Sequence, residues 1–105
     1  MTKKILFLFF LFVTAVGFSQ KSIKNLSTAP NPFVQNTTIT FFSDKNQTAI
    51  LNVRNVLGKT VYSEKLKIVK GENRFPFYRK NLQSGMYIYA LQNSEELISK
   101  RFVIK

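Results

Sequence analysis

Residues 49–66 read AILNVRNVLGKTVYSEKL, and the reading of the fold turns on this stretch. Its first half alternates, with Leu51 and Val53 on one face and Asn52 and Arg54 on the other. A period of two marks a strand with one buried face. Leu57-Gly58-Lys59 reads as a turn, and residues 60–66 resume a β-prone pattern with Val61 and Tyr62. Gly58 suits the left-handed backbone of a reversal between two strands.

The same rhythm extends in both directions. Turn signals recur at Pro30-Asn31-Pro32, Asp44-Lys45-Asn46, Lys70-Gly71-Glu72-Asn73, Gln83-Ser84-Gly85 and Asn93-Ser94-Glu95. Between them lie further strands. Residues 37–42 are rich in Thr, Ile and Phe, and residues 74–78 place Phe75 and Phe77 on one face. Pro76 cannot donate to a ladder and predicts an edge there. Residues 86–91 are apolar on both faces, as a central strand would be, with Tyr87 and Tyr89 expected in the core. Residues 97–104 set Ile98, Phe102 and Ile104 on one face, which Lys100 interrupts. A strand at residues 22–27 would make seven. No stretch beyond residue 20 carries a helical period. Short alternating strands separated by frequent turns predict an all-β sandwich of about seven antiparallel strands.

The first residues have a different character. Lys3 and Lys4 precede an almost wholly apolar run over residues 5–18, and Gly17 and Ser19 suit the −3 and −1 sites of a signal peptidase. This predicts a secretory signal peptide over residues 1–19, a cut after Ser19, and a domain over residues 20–105. The run is shorter than the roughly 20 apolar residues of a membrane span, so no transmembrane anchor is expected. With no cysteine, the leader is not that of a lipoprotein.

Composition narrows the function. The chain has no His, Cys or Trp. That removes thiol nucleophiles, histidine-based triads and zinc sites, so no catalytic, cofactor-binding or metal-binding residue is expected. Five carboxylates remain, Asp44, Glu64, Glu72, Glu95 and Glu96, with no spacing that pairs them for acid–base work. A domain without disulfides must rely on packing, which its Phe and Tyr residues suit. Taking Lys3 and Lys4 off the formal charge of +11 leaves +9, a surplus that favours anionic partners or simply a solvated surface. Basic residues gather over 65–80 beside Phe75, Phe77 and Tyr78, a mixture that can stack bases. The expectation here is instead a core of Phe and a solvated rim of Lys and Arg, with no nucleic acid bound.

Four stretches resemble a known family in order and spacing over about residues 27–105. Ala29-Pro30-Asn31-Pro32-Phe33 resembles its opening Pro-Asn-Pro. Residues 53–61, VRNVLGKTV, are similar to its central strand–turn–strand. Residues 82–89, LQSGMYIY, resemble its Leu-Pro-Ser-Gly-Val-Tyr element, and residues 99–105, SKRFVIK, its basic-then-apolar final strand. The family is the type A C-terminal sorting domain of the type IX secretion system, found in diderm bacteria related to flavobacteria. The resemblance implies an immunoglobulin-like β-sandwich without enzymatic activity. It also implies recognition in the periplasm, passage through the outer-membrane translocon, and secretion or surface display. Translocon and sortase components are the implied partners, with anionic lipopolysaccharide as a further one.

Within this frame Pro30 and Pro32 stiffen the opening strand, and Asn55, Gly58, Gly85 and Tyr87 shape turns and core. The final strand is expected to meet the machinery through Lys100, Arg101, Phe102, Val103 and Lys105, because a terminal edge strand offers both ladder groups and charge. The plainer reading is that all of these residues only build the sandwich. Gln83 stands where the family usually has Pro, and Asn55 where Asp is frequent. Few residues separate the expected leader from the domain, so no cargo is expected between them. That leaves a second reading, a small exported basic module that binds lipopolysaccharide or a protein.

Overall fold

The computed structural model describes residues 21–105. The expected signal peptide over residues 1–19 and its cut after Ser19 lie outside the described residues. Seven strands follow: β1 (Ile23–Ala29), β2 (Asn36–Ser43), β3 (Gln47–Arg54), β4 (Thr60–Ile68), β5 (Gly71–Tyr78), β6 (Gly85–Gln92) and β7 (Leu97–Ile104). They form a three-stranded sheet, β1-β2-β5, and a four-stranded sheet, β4-β3-β6-β7. Every pair of neighbouring strands is antiparallel. Among the described residues no helix is long and apolar enough to cross a membrane.

The alternation in the opening stretch survives in space. Ala49, Leu51 and Val53 are buried, while Ile50 and Arg54 are exposed. β3 begins and ends two residues earlier than its pattern suggests, because Asn55 already belongs to the turn. Its side chain makes that turn. Asn55 Oδ1 accepts hydrogen bonds from the amides of Leu57 and Lys59, both at 3.0 Å. Gly58 sits at φ +84°, where a Cβ would be strained. The short turn keeps β4 beside β3, whereas the immunoglobulin constant arrangement puts its fourth strand in the other sheet.

β5 is an edge, as Pro76 predicts. β6 is interior to its sheet, between β3 and β7, but it is not buried on both faces. Tyr87, Tyr89 and Leu91 are buried, while Met86 and Ile88 remain exposed. Its apolar outer face is a consequence of a two-layer sandwich, which covers only one side of each sheet. β7 pairs with β6 without a register shift, from Gly85↔Ile104 to Gln92↔Leu97. Lys100 lies opposite Tyr89 and does not break the ladder, because a lysine on an edge strand can reach solvent at the rim.

The prolines do not stiffen the opening strand. They lie beyond it, in a corner where the Ala29–Pro30 and Asn31–Pro32 peptides are both cis. This corner carries the chain from one sheet to the other. β1 pairs with β2, then Phe33 forms a parallel bridge with Ile104 of β7, and β2 begins at Asn36 back in the first sheet.

Both sheets contribute to one core, and Phe102 is its meeting point. The Phe102 ring lies 5.2 Å from Phe33, 5.4 Å from Phe77, 5.9 Å from Tyr87 and 5.3 Å from Tyr89, between centroids. All five residues are buried. Such aromatic contacts add to the area that each ring buries. Phe102→Ala is therefore expected to cost about 3–5 kcal/mol, a large share of the stability of so small a domain. Lys100→Ala, two residues away and exposed, should change stability by less than about 0.5 kcal/mol. Urea unfolding followed by far-UV circular dichroism measures both.

Candidate recognition surface

No group of three or more His, Cys, Asp or Glu side chains that could hold a metal ion occurs among the described residues. The carboxylates are dispersed. Glu95 and Glu96 are adjacent in the β6–β7 turn yet diverge. Glu95 points outward to Lys45, 3.9 Å away. Glu96 turns inward and accepts from Ser22 Oγ at 2.6 Å and from the amides of Ser22 and Ile23, each at 3.1 Å. Gln47 extends this network, donating to Ser22 Oγ at 3.0 Å and accepting from Asn93 Nδ2 at 2.7 Å. Glu96 thus ties the start of β1 to the β6–β7 turn. Burial pushes the Glu96 carboxyl up, but the hydrogen bonds from Ser22, Ile23 and Asn93 together outweigh it and hold the group below the usual glutamate range.

Glu64 bonds to the Tyr62 hydroxyl on the inner side of edge strand β4. Burial, then that hydrogen bond and the Glu64 charge, push the Tyr62 phenol up to about 12. A depression of about 680 Å³ lies over the β2–β3 and β6–β7 turns and is lined by Lys45, Gln47, Ile50, Lys65, Asn93 and Glu95 among others. It is open, and Glu95 is its one carboxylate.

The residues singled out from the final strand separate into two sets. Lys100, Arg101, Val103 and Lys105 are exposed; Phe102 is in the middle of the core and presents no surface. The alternation of β7 explains this, since Phe102 and Ile104 share the inward face. The outer ladder of β7 is also partly occupied. Asn31 Oδ1 accepts from the Val103 amide at 2.9 Å, and Asn31 Nδ2 donates to the Arg101 carbonyl at 3.3 Å. The Phe33 amide donates to the Val103 carbonyl at 3.0 Å, and the Lys105 amide to the Phe33 carbonyl at 2.8 Å. From Arg101 onward the edge expected to receive a partner is covered by the chain's own Pro-Asn-Pro-Phe corner. Asn31 and β7 were both legible in the sequence; their junction was not, because it joins residues about seventy positions apart.

The remaining motif residues have local tasks. Gly85 sits at φ +147° at the start of β6. Two residues on, the Tyr87 hydroxyl donates to the Gln83 carbonyl at 2.7 Å and pins the preceding loop. Asn55 in place of Asp is explained by its bonds: the turn needs a side-chain oxygen acceptor, which either residue supplies. In the basic run, Phe77 is buried and Phe75 half-buried, whereas Arg74 and Tyr78 point outward. The Phe rings and the cations thus lie on opposite faces of β5.

Sequence reasoning missed Arg79. Its guanidinium donates to the carbonyl oxygens of Val34 (3.1 Å), Leu82 (2.9 Å) and Lys105 (2.9 Å), tying together three segments at one end of the sandwich. Nothing in the linear pattern distinguishes it from the other cations of the basic run.

The fold and its surface define a small two-sheet β domain whose motifs shape corners, turns and edges. Residues 27–105 match the family described as the secretion system C-terminal sorting domain, and the chain belongs to that family. No curated protein matches it. Among solved structures it is similar, at a TM-score of 0.42 and 15% identity, to a β-glucosidase from Listeria innocua crystallised with glucose. That match covers 84% of this chain but 17% of the glucosidase, and carries no argument about activity.

Two outcomes are expected. Asn55→Asp should leave stability nearly unchanged while Asn55→Ala costs about 1 kcal/mol, as read from denaturant midpoints. Because the folded state favours ionised Glu96, its contribution is fully present above the ordinary glutamate pKa of about 4.3. It is lost as pH falls through the lower folded value. The acid limb of the melting temperature against pH should therefore be shallower in Glu96→Gln.

Proposed function

We propose that this chain is a non-enzymatic sorting domain that directs export across the outer membrane by the type IX secretion system. The observation that carries the reading is the family match over residues 27–105. Residues 1–19, as a cleavable leader, would take the chain across the inner membrane. The domain would fold in the periplasm as an immunoglobulin-like sandwich, engage translocon and sortase components, and be secreted or held at the cell surface. Two features support a non-enzymatic role: the sequence has no His or Cys, and its carboxylates are engaged in turns and edges rather than gathered at one site.

The test uses the full chain with a periplasm-compatible reporter protein inserted between Gln20 and Lys21. It is expressed in a host that has the type IX system and in an isogenic strain lacking the translocon. The expected result is reporter outside the outer membrane in the first strain and in the periplasm of the second. Reporter retained in the periplasm of both overturns the sorting reading and favours the exported binding module.

A further inference from the structure

The outer face of the four-stranded sheet combines features found together nowhere else on the domain. Its rows follow from the registers. Arg54, Ile88 and Arg101 lie side by side across β3, β6 and β7. Met86 and Val103 form the neighbouring row, and Asn52, Ala90 and Ser99 the row on the other side. Beyond them Lys65 of β4 stands next to Ile50 of β3, with Lys67 further along β4. Every one of these cations is exposed.

No strand of this face carries an outward carboxylate; Glu95, in the β6–β7 turn, borders its far end beside Ile50 and Lys65. Asp44, Glu95 and Glu96 are in turns, Glu64 is on the inner side of β4, and Glu72 is on the outer face of the other sheet. Among the described residues the ion pairs are Lys45–Glu95 and Arg74–Glu72, so Arg54 and Arg101 have no carboxylate partner there. Two strand spacings separate them, about 10 Å, with Ile88 between. Arginine forks suit bidentate carboxylate recognition. Arg and Met beside aliphatic side chains are also the composition of a protein–protein contact.

We propose that this face docks an acidic protein surface belonging to the export machinery; the inference rests on the sorting reading above. Two observations select a face and a protein. The outer ladder of β7 is covered from Arg101 onward by Asn31 and Phe33, so what this end of the strand presents is the Arg101 and Val103 side chains. The apolar residues around the two arginines are also nearly flush with the sheet: Val103 is 37% exposed and Met86 and Ile88 39%, while Ile50 at 43% and Leu97 at 56% lie towards the far end of the face. Flush side chains complement a solid partner and do not reach into a bilayer. The most protruding apolar residues, Val56 at 65% and Leu57 at 88%, are on the β3–β4 turn instead.

The reporter-bearing full chain tests this with three double variants. Arg54→Glu/Arg101→Glu reverses the face, and Arg54→Gln/Arg101→Gln neutralises it. Lys24→Glu/Arg74→Glu makes the same charge change on the opposite sheet. Melting temperatures verify folding, and the Gln pair serves if the Glu pair does not fold. Surface reporter is expected to fall about tenfold or more for the face variants, the factor associated with about 1.4 kcal/mol, and to stay at the unaltered level for the opposite-sheet pair. Equal export of all forms overturns this inference and leaves the sorting reading intact, and an equal fall in all three overturns it as a general charge effect. Failure of the unaltered chain to export overturns the sorting reading, and this inference with it. Sedimentation with phosphatidylglycerol–phosphatidylcholine vesicles that is lost only in the face variants would assign the surface to lipid and also overturn it.

Discussion

One side chain of the last strand holds the two sheets to a common centre. Phe102 meets Phe33 from the corner, Phe77 from the three-stranded sheet, and Tyr87 and Tyr89 from its own sheet. A domain of this size buries a modest share of its surface, and this one has no disulfide to limit the unfolded chain. Aromatic packing at one point therefore carries much of the cohesion. It also makes the strand expected to act as an address part of the fold itself: β7 cannot leave without opening the core.

The edges show a second constraint. A two-layer sandwich has four edge strands, each with unpaired ladder groups that invite aggregation. Each edge is handled differently here. β5 carries Pro76. β4 carries Lys65 and Lys67 outward and places Glu64 on its inner side. β1 has a register shift between Lys24 and Ser27, where Asn25 adopts φ +58°. β7 is covered over its last residues by Asn31 and Phe33. The Pro-Asn-Pro motif is thus a sheet-to-sheet corner whose asparagine imitates a strand partner. Both sheets leave an outer face uncovered, and on that of the larger sheet Arg54 and Arg101 stand without a carboxylate partner among the described residues.

How much was legible follows from the range of each interaction. The period of residues 49–66 placed the Leu51 and Val53 face, and Pro76 placed an edge. Gly58 placed a turn, though Asn55, read as part of the strand, proved to make it. Each is a rule between neighbours in the chain. The burial of Tyr87 was legible for the same reason, though the outer exposure of β6 was not, since an apolar run does not say which of its faces is covered. For the site, the sequence singled out the last strand but could not separate Arg101 from Phe102. They differ only in which side of the sheet they face.

The sequence by itself determined an all-β domain of about seven strands beyond residue 20, and a composition with no histidine or cysteine, because residue types and a period of two are local properties. Only the tertiary structure decided which strands became edges needing cover, that Asn31 caps β7, that Arg79 joins three distant segments, and that Arg54 and Arg101 flank Ile88. Those outcomes depend on strand order and register, which bring together residues separated by dozens of positions. No local pattern encodes that pairing.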